Sequence, residues 1–206
     1  MNTTRSVLLM AMVCAAIALA GCGGGGGGGQ FSGAGVKGPV YGATVTVYKT
    51  SDTLEANPIG TCDTTNQQGR YTCAGTYNQG PYKVVMTGGS YCSNESEIQL
   101  NGTEVANIPC LEGGIKKDLV DPLSTILLQT TGGTLAYAPI TPFTTAATNL
   151  ALLSGDGSSF LNQYQNIADT YGINANPTEP INYTDESRIT ALLTEMAGSG
   201  TTIDQL

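Results

Sequence analysis

The sequence predicts an α+β protein in which an antiparallel β-sandwich is followed by a small α-helical region. Between residues 30 and 114, apolar residues alternate with polar ones, and Gly, Pro and Asn separate the alternating segments. Between residues 115 and 206, apolar residues recur with a helical period instead. The chain has 206 residues, which allows one large domain or two small ones. We therefore divide the folded part near residue 115.

Two segments carry most of the strand signal. Residues 43–48 read Ala-Thr-Val-Thr-Val-Tyr and residues 82–87 read Tyr-Lys-Val-Val-Met-Thr, so every second side chain is predicted to face a core. Residues 98–100, Ile-Gln-Leu, are predicted to form a shorter strand of the same kind. Turn-forming residues separate these segments, as in an antiparallel sandwich.

Three sequence segments make this prediction more specific. They are Val36-Lys-Gly-Pro-Val-Tyr-Gly-Ala-Thr-Val-Thr-Val-Tyr48, Gly60-Thr-Cys-Asp-Thr-Thr-Asn-Gln-Gln-Gly-Arg-Tyr71 and Gly80-Pro-Tyr-Lys-Val-Val-Met-Thr-Gly-Gly89. Together they resemble the carboxypeptidase regulatory-like family, which implies an immunoglobulin-like or transthyretin-like β-sandwich over residues 30–114. The chain departs from that family in having Thr65-Asn66 where Thr-Asp is usual, and in its added cysteines. In the family, peptidase chemistry belongs to a separate zinc domain.

Four apolar stripes predict helices between residues 115 and 206, packed together as a small bundle. The predicted helix starts are Thr141-Pro142 and Ser158 or Ser159, and the stops are glycines, at 155, 172 and 198. The last six residues resemble the start of another helix, so a truncated or shortened chain is an alternative. The four stripes are Leu119, Leu123, Ile126 and Leu127; Phe143, Ala146, Ala147, Leu150 and Leu153; Phe160, Tyr164, Ile167, Ala168 and Tyr171; and Ile189, Leu192, Leu193 and Met196.

Residues 1–21 are predicted to be a lipoprotein signal peptide. Arg5 precedes an apolar run over residues 7–20, which is shorter than the roughly 20 residues that cross a bilayer. The run ends in Leu-Ala-Gly-Cys22, which resembles the lipobox of bacterial lipoproteins. The resemblance implies cleavage before Cys22 and acylation of this residue. An ordinary secretory signal or a short membrane anchor is the alternative.

Residues 22–29 are predicted to be the acylated Cys22 followed by a tether of seven glycines. Such a run stays unfolded because it cannot bury apolar surface, and it spans roughly 13–16 Å as a flexible coil. Gly23, rather than Asp, follows Cys22. By resemblance to enterobacterial lipoproteins, this implies delivery to the outer membrane, with the lipid anchor as the contact with the membrane.

Of the six cysteines, Cys14 is expected to leave with the signal peptide and Cys22 to take the lipid, and an exported chain is expected to oxidise the other four. A turn at residues 66–69 would pair Thr65 with Arg70 and place Cys62 opposite Cys73, within reach of a disulfide. By elimination, the second predicted disulfide is Cys92–Cys110. The alternative is a metal site, but these cysteines lack the close pairs that zinc sites use.

The composition excludes several kinds of chemistry. The sequence has no His, which rules out Ser-His-Asp and Cys-His catalysis and zinc sites built on imidazole. The formal net charge of −8 argues against nucleic acid and anionic lipid as electrostatic partners. Charged residues make up only 12%, which is typical of an exported chain rather than a cytosolic one. We therefore assign no catalytic residue, no metal ligand and no cofactor.

The remaining polar features have ordinary structural interpretations. Residues 155–158, Gly-Asp-Gly-Ser, are interpreted as a turn and N-cap rather than a calcium loop. Asp63 and Asn66 are interpreted as turn-forming residues. Four acids are interpreted as a solvated patch rather than a glycosidase pair: Glu95, Glu97, Glu104 and Glu112. Five tyrosines suit either contact with a partner or packing: Tyr41, Tyr48, Tyr77, Tyr82 and Tyr91.

These observations predict a non-catalytic, lipid-anchored cell-envelope protein whose sandwich contacts a surface glycan, a peptide or another protein. Two alternatives remain. The first is a hydrolase or sugar-processing enzyme that uses carboxylates alone, which would need two acids converging in a cleft. The second is an accessory subunit of an envelope complex, which would expose an apolar patch on its helices.

Overall fold

The computed structural model describes residues 30–37, 39–75, 77, 80–92, 116–128, 136–173 and 176–178. Strands and helices both occur there, so the predicted α+β class is confirmed. The strands are β1 (Phe31–Ala34), β2 (Thr44–Lys49), β3 (Gly60–Thr61), β4 (Arg70–Cys73), β5 (Tyr82–Thr87), β6 (Ser90–Cys92), β7 (Lys116–Asp118), β8 (Leu123–Leu127) and β9 (Ala136–Tyr137). The helices are α1 (Pro142–Leu153) and α2 (Phe160–Tyr171).

A four-stranded sheet has the order β3-β2-β5-β8, and each neighbouring pair is antiparallel. The predicted alternation is present in β2 and β5: Val45 lies opposite Met86, Val47 lies opposite Val84, and all four side chains are buried. Val85 points to the opposite face of the sheet and is also buried. The two helices described below lie on that face.

A three-stranded sheet has the order β4-β1-β9, with β1 antiparallel to β4 and parallel to β9. The hydroxyl of Tyr71 in β4 donates a hydrogen bond to the carbonyl oxygen of Ala138 just after β9. The bond passes over Gly33 in β1, where a Cβ atom would overlap both groups. Only glycine fits at this crossing.

One hydrophobic cluster unites the two sheets. The three-stranded sheet contributes Phe31 and Tyr71, and the four-stranded sheet contributes residues such as Val45 and Met86. The ring of Phe31 meets the ring of Tyr77 edge to face, with the centroids 5.0 Å apart. Burying apolar surface from both sheets in this core is the main stabilisation of the strand region.

The prediction of a helix over residues 119–127 was wrong. Residues 123–127 form β8, which pairs with β5 in register Met86–Leu123 through Tyr82–Leu127. All five residues of β8 are buried because the shared core covers one face and the helices cover the other. A strand covered on both faces can carry apolar residues toward either face, here Leu123 and Leu127 toward one and Ile126 toward the other, so their spacing also matches a helical stripe. The strands therefore continue beyond residue 115.

Helix α1 begins as predicted, with Thr141 at the N-cap and Pro142 at the first helical position. Its predicted stripe is partly correct: Phe143, Ala146 and Ala147 are buried, whereas Leu150 and Leu153 are 37% and 85% exposed. The helix buries its other small residues, including Ala151, against its neighbours instead.

Helix α2 has the predicted bounds and ends at Gly172, which adopts the left-handed conformation. Of the predicted stripe, Phe160, Tyr164, Ile167 and Ala168 are buried in a second cluster with α1 and Ile126 of β8. The fifth member, Tyr171, is half-buried and packs against this cluster. The helices thus form a layer against β8. The predicted strand at residues 98–100 and the predicted helical stripe of residues 189–196 lie outside the described residues.

Candidate functional site

The predicted disulfide Cys62–Cys73 is present, with the two Cα atoms 4.2 Å apart. The backbone N–H of Cys62 donates to the carbonyl of Val45 in β2, whereas Cys73 lies in β4 opposite Phe31 of β1. The bridge therefore connects the edge of the four-stranded sheet to the three-stranded sheet. Of the predicted Cys92–Cys110 disulfide, only the backbone of Cys92 is described, and Cys110 lies outside the described residues. Cys22, the predicted site of acylation, lies outside them too.

The turn between these cysteines differs from the prediction by one residue. The N–H of Asn66, rather than that of Thr65, donates to the carbonyl of Arg70. The side-chain oxygen of Asn66 accepts from the N–H groups of Gln68 and Arg70, so Asn66 does form the turn. Thr65 instead exchanges hydrogen bonds with Ala43, because the first arm of the hairpin continues the edge of the four-stranded sheet.

The loop between β2 and β3, residues 50–59, and the last residue of β2, Lys49, together form an open groove of about 420 Å³. This volume is within the range of small-molecule sites. Polar and apolar side chains both line the groove: Lys49, Ser51, Asp52, Asn57, Pro58 and Ile59. We call this feature the β2–β3 groove.

The carboxylate of Asp52 holds the loop in shape. One of its oxygens accepts the N–H of Asn57 at 2.7 Å, and the other accepts the N–H of Ala56 at 3.3 Å. The intervening chain turns sharply at Glu55, which has a φ of 53°. A non-glycine residue seldom adopts this left-handed conformation, so other contacts must hold it there.

One such contact is an ion pair between Glu55 and Lys83 of β5, with 2.5 Å between Oε1 and Nζ. Both side chains are less than one third exposed. At the other end of the loop, the N–H of Ile59 donates to the carbonyl of Val47. These two contacts hold the β2–β3 loop, and with it the β2–β3 groove, against β2 and β5.

A second polar surface lies on the ribbon of β6 and β7, where Tyr91 is paired with Lys117. The ammonium of Lys37 lies 5.4 Å from the ring centroid of Tyr91, and that of Lys116 lies 5.6 Å from the ring centroid of Tyr41. Burial lowers the pKa of Lys37, Asp121 opposes this shift, and Lys117 adds to it. Three lysines, Lys37, Lys116 and Lys117, therefore lie close together on this surface.

Most of the described carboxylates have structural partners. Asp118 accepts a hydrogen bond from the hydroxyl of Ser90, and Asp169 accepts one from Gln165. Asp156 accepts the N–H of Ser158, which lowers the pKa of Asp156 and confirms the predicted turn. In the described part of the chain, no three acids or cysteines converge as metal ligands would. The four predicted patch acids, at positions 95, 97, 104 and 112, lie outside the described residues.

The predicted contact tyrosines divide into two groups. Tyr77 and Tyr82 are buried in the shared core, and Tyr41, Tyr48 and Tyr91 are half-buried. The groove could not be anticipated from the sequence. The only available signal was a polar loop containing Asp52 and Asn57 between two predicted strands, and it does not reveal which side chains converge.

Comparisons with models of known protein families, with curated protein sequences and with solved structures find no match. No described helix has the length and apolar character that crossing a membrane requires.

Proposed function

We propose that this chain is a non-catalytic, lipid-anchored protein of the bacterial outer membrane, with a binding domain of the transthyretin-like β-sandwich type. The observation that carries the proposal is the order of the segments. A lipobox-like sequence ending at Cys22 precedes seven glycines, and β1 begins two residues later with the fully buried Phe31. The glycine run therefore leads directly from the proposed anchor into a folded core.

Two features support the sandwich interpretation. The two sheets pack around one shared core, and a disulfide joins their edges. The strands that carry the resemblance to carboxypeptidase regulatory-like domains, β2, β4 and β5, all contribute to this core. Members of that architecture place binding loops at the ends of their sheets, where the β2–β3 groove lies.

A binding role is also consistent with the polar side chains. The described carboxylates at Asp52, Glu55 and Asp118 hold loops and strands in place rather than meeting in a cleft. In this proposal the sandwich contacts a glycan, a peptide or another protein of the envelope.

Metabolic labelling with a fatty-acid probe in bacteria tests the anchor. We expect the wild-type protein and a Cys14→Ala variant to be labelled and a Cys22→Ala variant not to be. Cys14 is the matched control because it lies within the predicted signal peptide. Equal labelling of Cys22→Ala and wild type would refute the proposed lipid attachment.

A second candidate function, an accessory subunit of an envelope complex, is favoured by exposed leucines on the helices. Leu150 and Leu153 in α1 and Leu161 in α2 are between 37% and 85% exposed. A photo-crosslinking residue at position 153 would test it in intact cells. A discrete adduct that disappears in a Leu150→Asp variant supports an obligate partner, whereas crosslinks to lipid or solvent alone oppose one.

A further inference from the structure

We propose that the β2–β3 groove binds a neutral sugar unit of a glycan, held by Lys49, Asn57 and Asp52. This inference deepens the proposed binding function by assigning a ligand class to one surface. It depends on the composition of the groove, on its charge balance and on the rigidity of its loop.

The polar groups in the groove match the hydroxyls of a sugar. Each carboxylate oxygen of Asp52 already accepts one backbone N–H and keeps a further lone pair that can accept a hydrogen bond from a sugar hydroxyl. Lys49 supplies ammonium donors, and the amide of Asn57 supplies both a donor and an acceptor. A sugar hydroxyl donates one hydrogen bond and accepts others, so neighbouring hydroxyls need acceptors and donors side by side. Pro58 and Ile59 add an apolar wall against which the C–H face of a sugar ring can pack.

The charges favour a neutral ligand. Lys49 and Asp52 have opposite charges, and the nearby Glu55–Lys83 ion pair also sums to zero. The chain as a whole has a net charge of −8, which repels a polyanion over a distance. An acidic glycan would therefore meet no excess of positive charge in the groove.

The loop is formed in advance of binding. Asp52 binds two backbone N–H groups, and the Glu55–Lys83 ion pair holds the left-handed turn. A site that is already in shape loses less conformational freedom on binding, which favours a weakly interacting ligand such as a sugar. Such strained positions also occur preferentially at functional sites.

The test measures binding by titration calorimetry, using the full chain in a detergent without a sugar headgroup. The neutral probes are cellotetraose, maltotetraose and the tetramer of N-acetylglucosamine, and the acidic probe is tetragalacturonate. We expect at least one neutral probe to bind with a Kd below about 1 mM. We also expect it to bind more tightly than tetragalacturonate.

Two variants, Lys49→Ala and Asn57→Ala, should each weaken that binding about tenfold, since each removes a hydrogen bond. Both side chains are exposed, so the fold is preserved, and circular dichroism would verify this. The matched controls are Lys117→Ala and Asn166→Ala, which remove the same exposed side chains outside the groove and should change the Kd less than about twofold.

The inference is wrong if the folded wild type binds no neutral probe, if it prefers tetragalacturonate, or if neither groove variant weakens binding. These failures leave the fatty-acid labelling of Cys22 unaffected, so they are distinguishable from failure of the proposed anchor. Conversely, loss of the anchor with retained sugar binding would refute only the localisation.

Discussion

At the scale of single residues, Thr125 lies in the core between the sheets although its side chain is polar. It is 0% exposed, it is paired with Val84 across β5 and β8, and its hydroxyl has no hydrogen-bond partner among the described residues. A buried hydroxyl without a partner loses its hydration without compensation.

We therefore expect Thr125→Val to raise the free energy of unfolding by about 1 kcal/mol, because a methyl group replaces the unsatisfied hydroxyl at nearly the same volume. Urea denaturation measures the change. The control is Thr125→Ser, which retains the hydroxyl and loses a methyl group, and should destabilise the protein. A loss of stability in Thr125→Val would mean that the hydroxyl is bonded in the folded protein.

Tyr71 gives the stability a dependence on alkaline pH. Burial raises the pKa of its phenol well above the usual value, and its hydroxyl donates to Ala138. Between the unfolded pKa of about 10 and the higher folded pKa, the folded state retains a proton that the unfolded state loses. The contribution of Tyr71 is therefore fully present below about pH 10 and is lost as the pH rises above it.

The variant Tyr71→Phe should reduce the slope of unfolding free energy against pH above pH 10 by up to about 1.4 kcal/mol per pH unit. Denaturation between about pH 9 and pH 11 would measure both slopes. The pKa of Tyr77 is also raised by burial, so some slope should remain in the variant. Identical slopes in the two proteins would contradict the assignment to Tyr71.

At the scale of elements, the start of α1 completes the outer edge of β8. The N–H of Ser124 donates to the hydroxyl of Thr145 at 2.8 Å, and the carbonyl of Ser124 accepts from the hydroxyl of Thr144 at 2.8 Å. Thr141 and Thr144 also form a capping box at the helix N-terminus. Threonines of a helix thus satisfy backbone groups that an edge strand would otherwise leave unpaired.

Replacing Thr145 by Val should lower the free energy of unfolding by about 2 kcal/mol, because the buried N–H of Ser124 loses its acceptor. The matched control is Thr148→Val in the same helix, since the hydroxyl of Thr148 is buried without a partner among the described residues. That control should not lose stability. Equal effects of the two variants in thermal unfolding would show that the bond to Ser124 contributes little.

The elements also show what could be predicted from the sequence. The bounds of α2 and the alternation in β2 follow from local periodicity, which needs no knowledge of the rest of the chain. The identity of β8 does not, because a segment buried on both faces owes its apolar residues to two distant layers. The groove could not be predicted because the shape of its loop depends on a contact that is distant in sequence, the ion pair between Glu55 and Lys83.

At the scale of the whole molecule, the Cys62–Cys73 bridge limits how far the two sheets can separate. The two cysteines are separated by 11 positions in the sequence. Closing a loop of this size lowers the entropy of the unfolded chain and should add about 3 kcal/mol to the free energy of unfolding. We expect the double variant Cys62→Ala/Cys73→Ala to lose about this much stability in urea denaturation. An unchanged midpoint would mean that packing alone holds the sheets together.

A consequence for mechanical load follows from the position of β1. In the proposed lipid-anchored protein, tension between the membrane and a bound ligand would pass through the glycines and reach β1 at Phe31. This residue is held on both sides, by Cys73 in β4 and by Ala136 in β9. Cys73 in turn is covalently joined to Cys62 at the edge of the other sheet. Force applied along β1 therefore loads the hydrogen bonds of this strand together in shear. The first residue pair under load is Phe31 with Cys73, and Cys73 belongs to the disulfide.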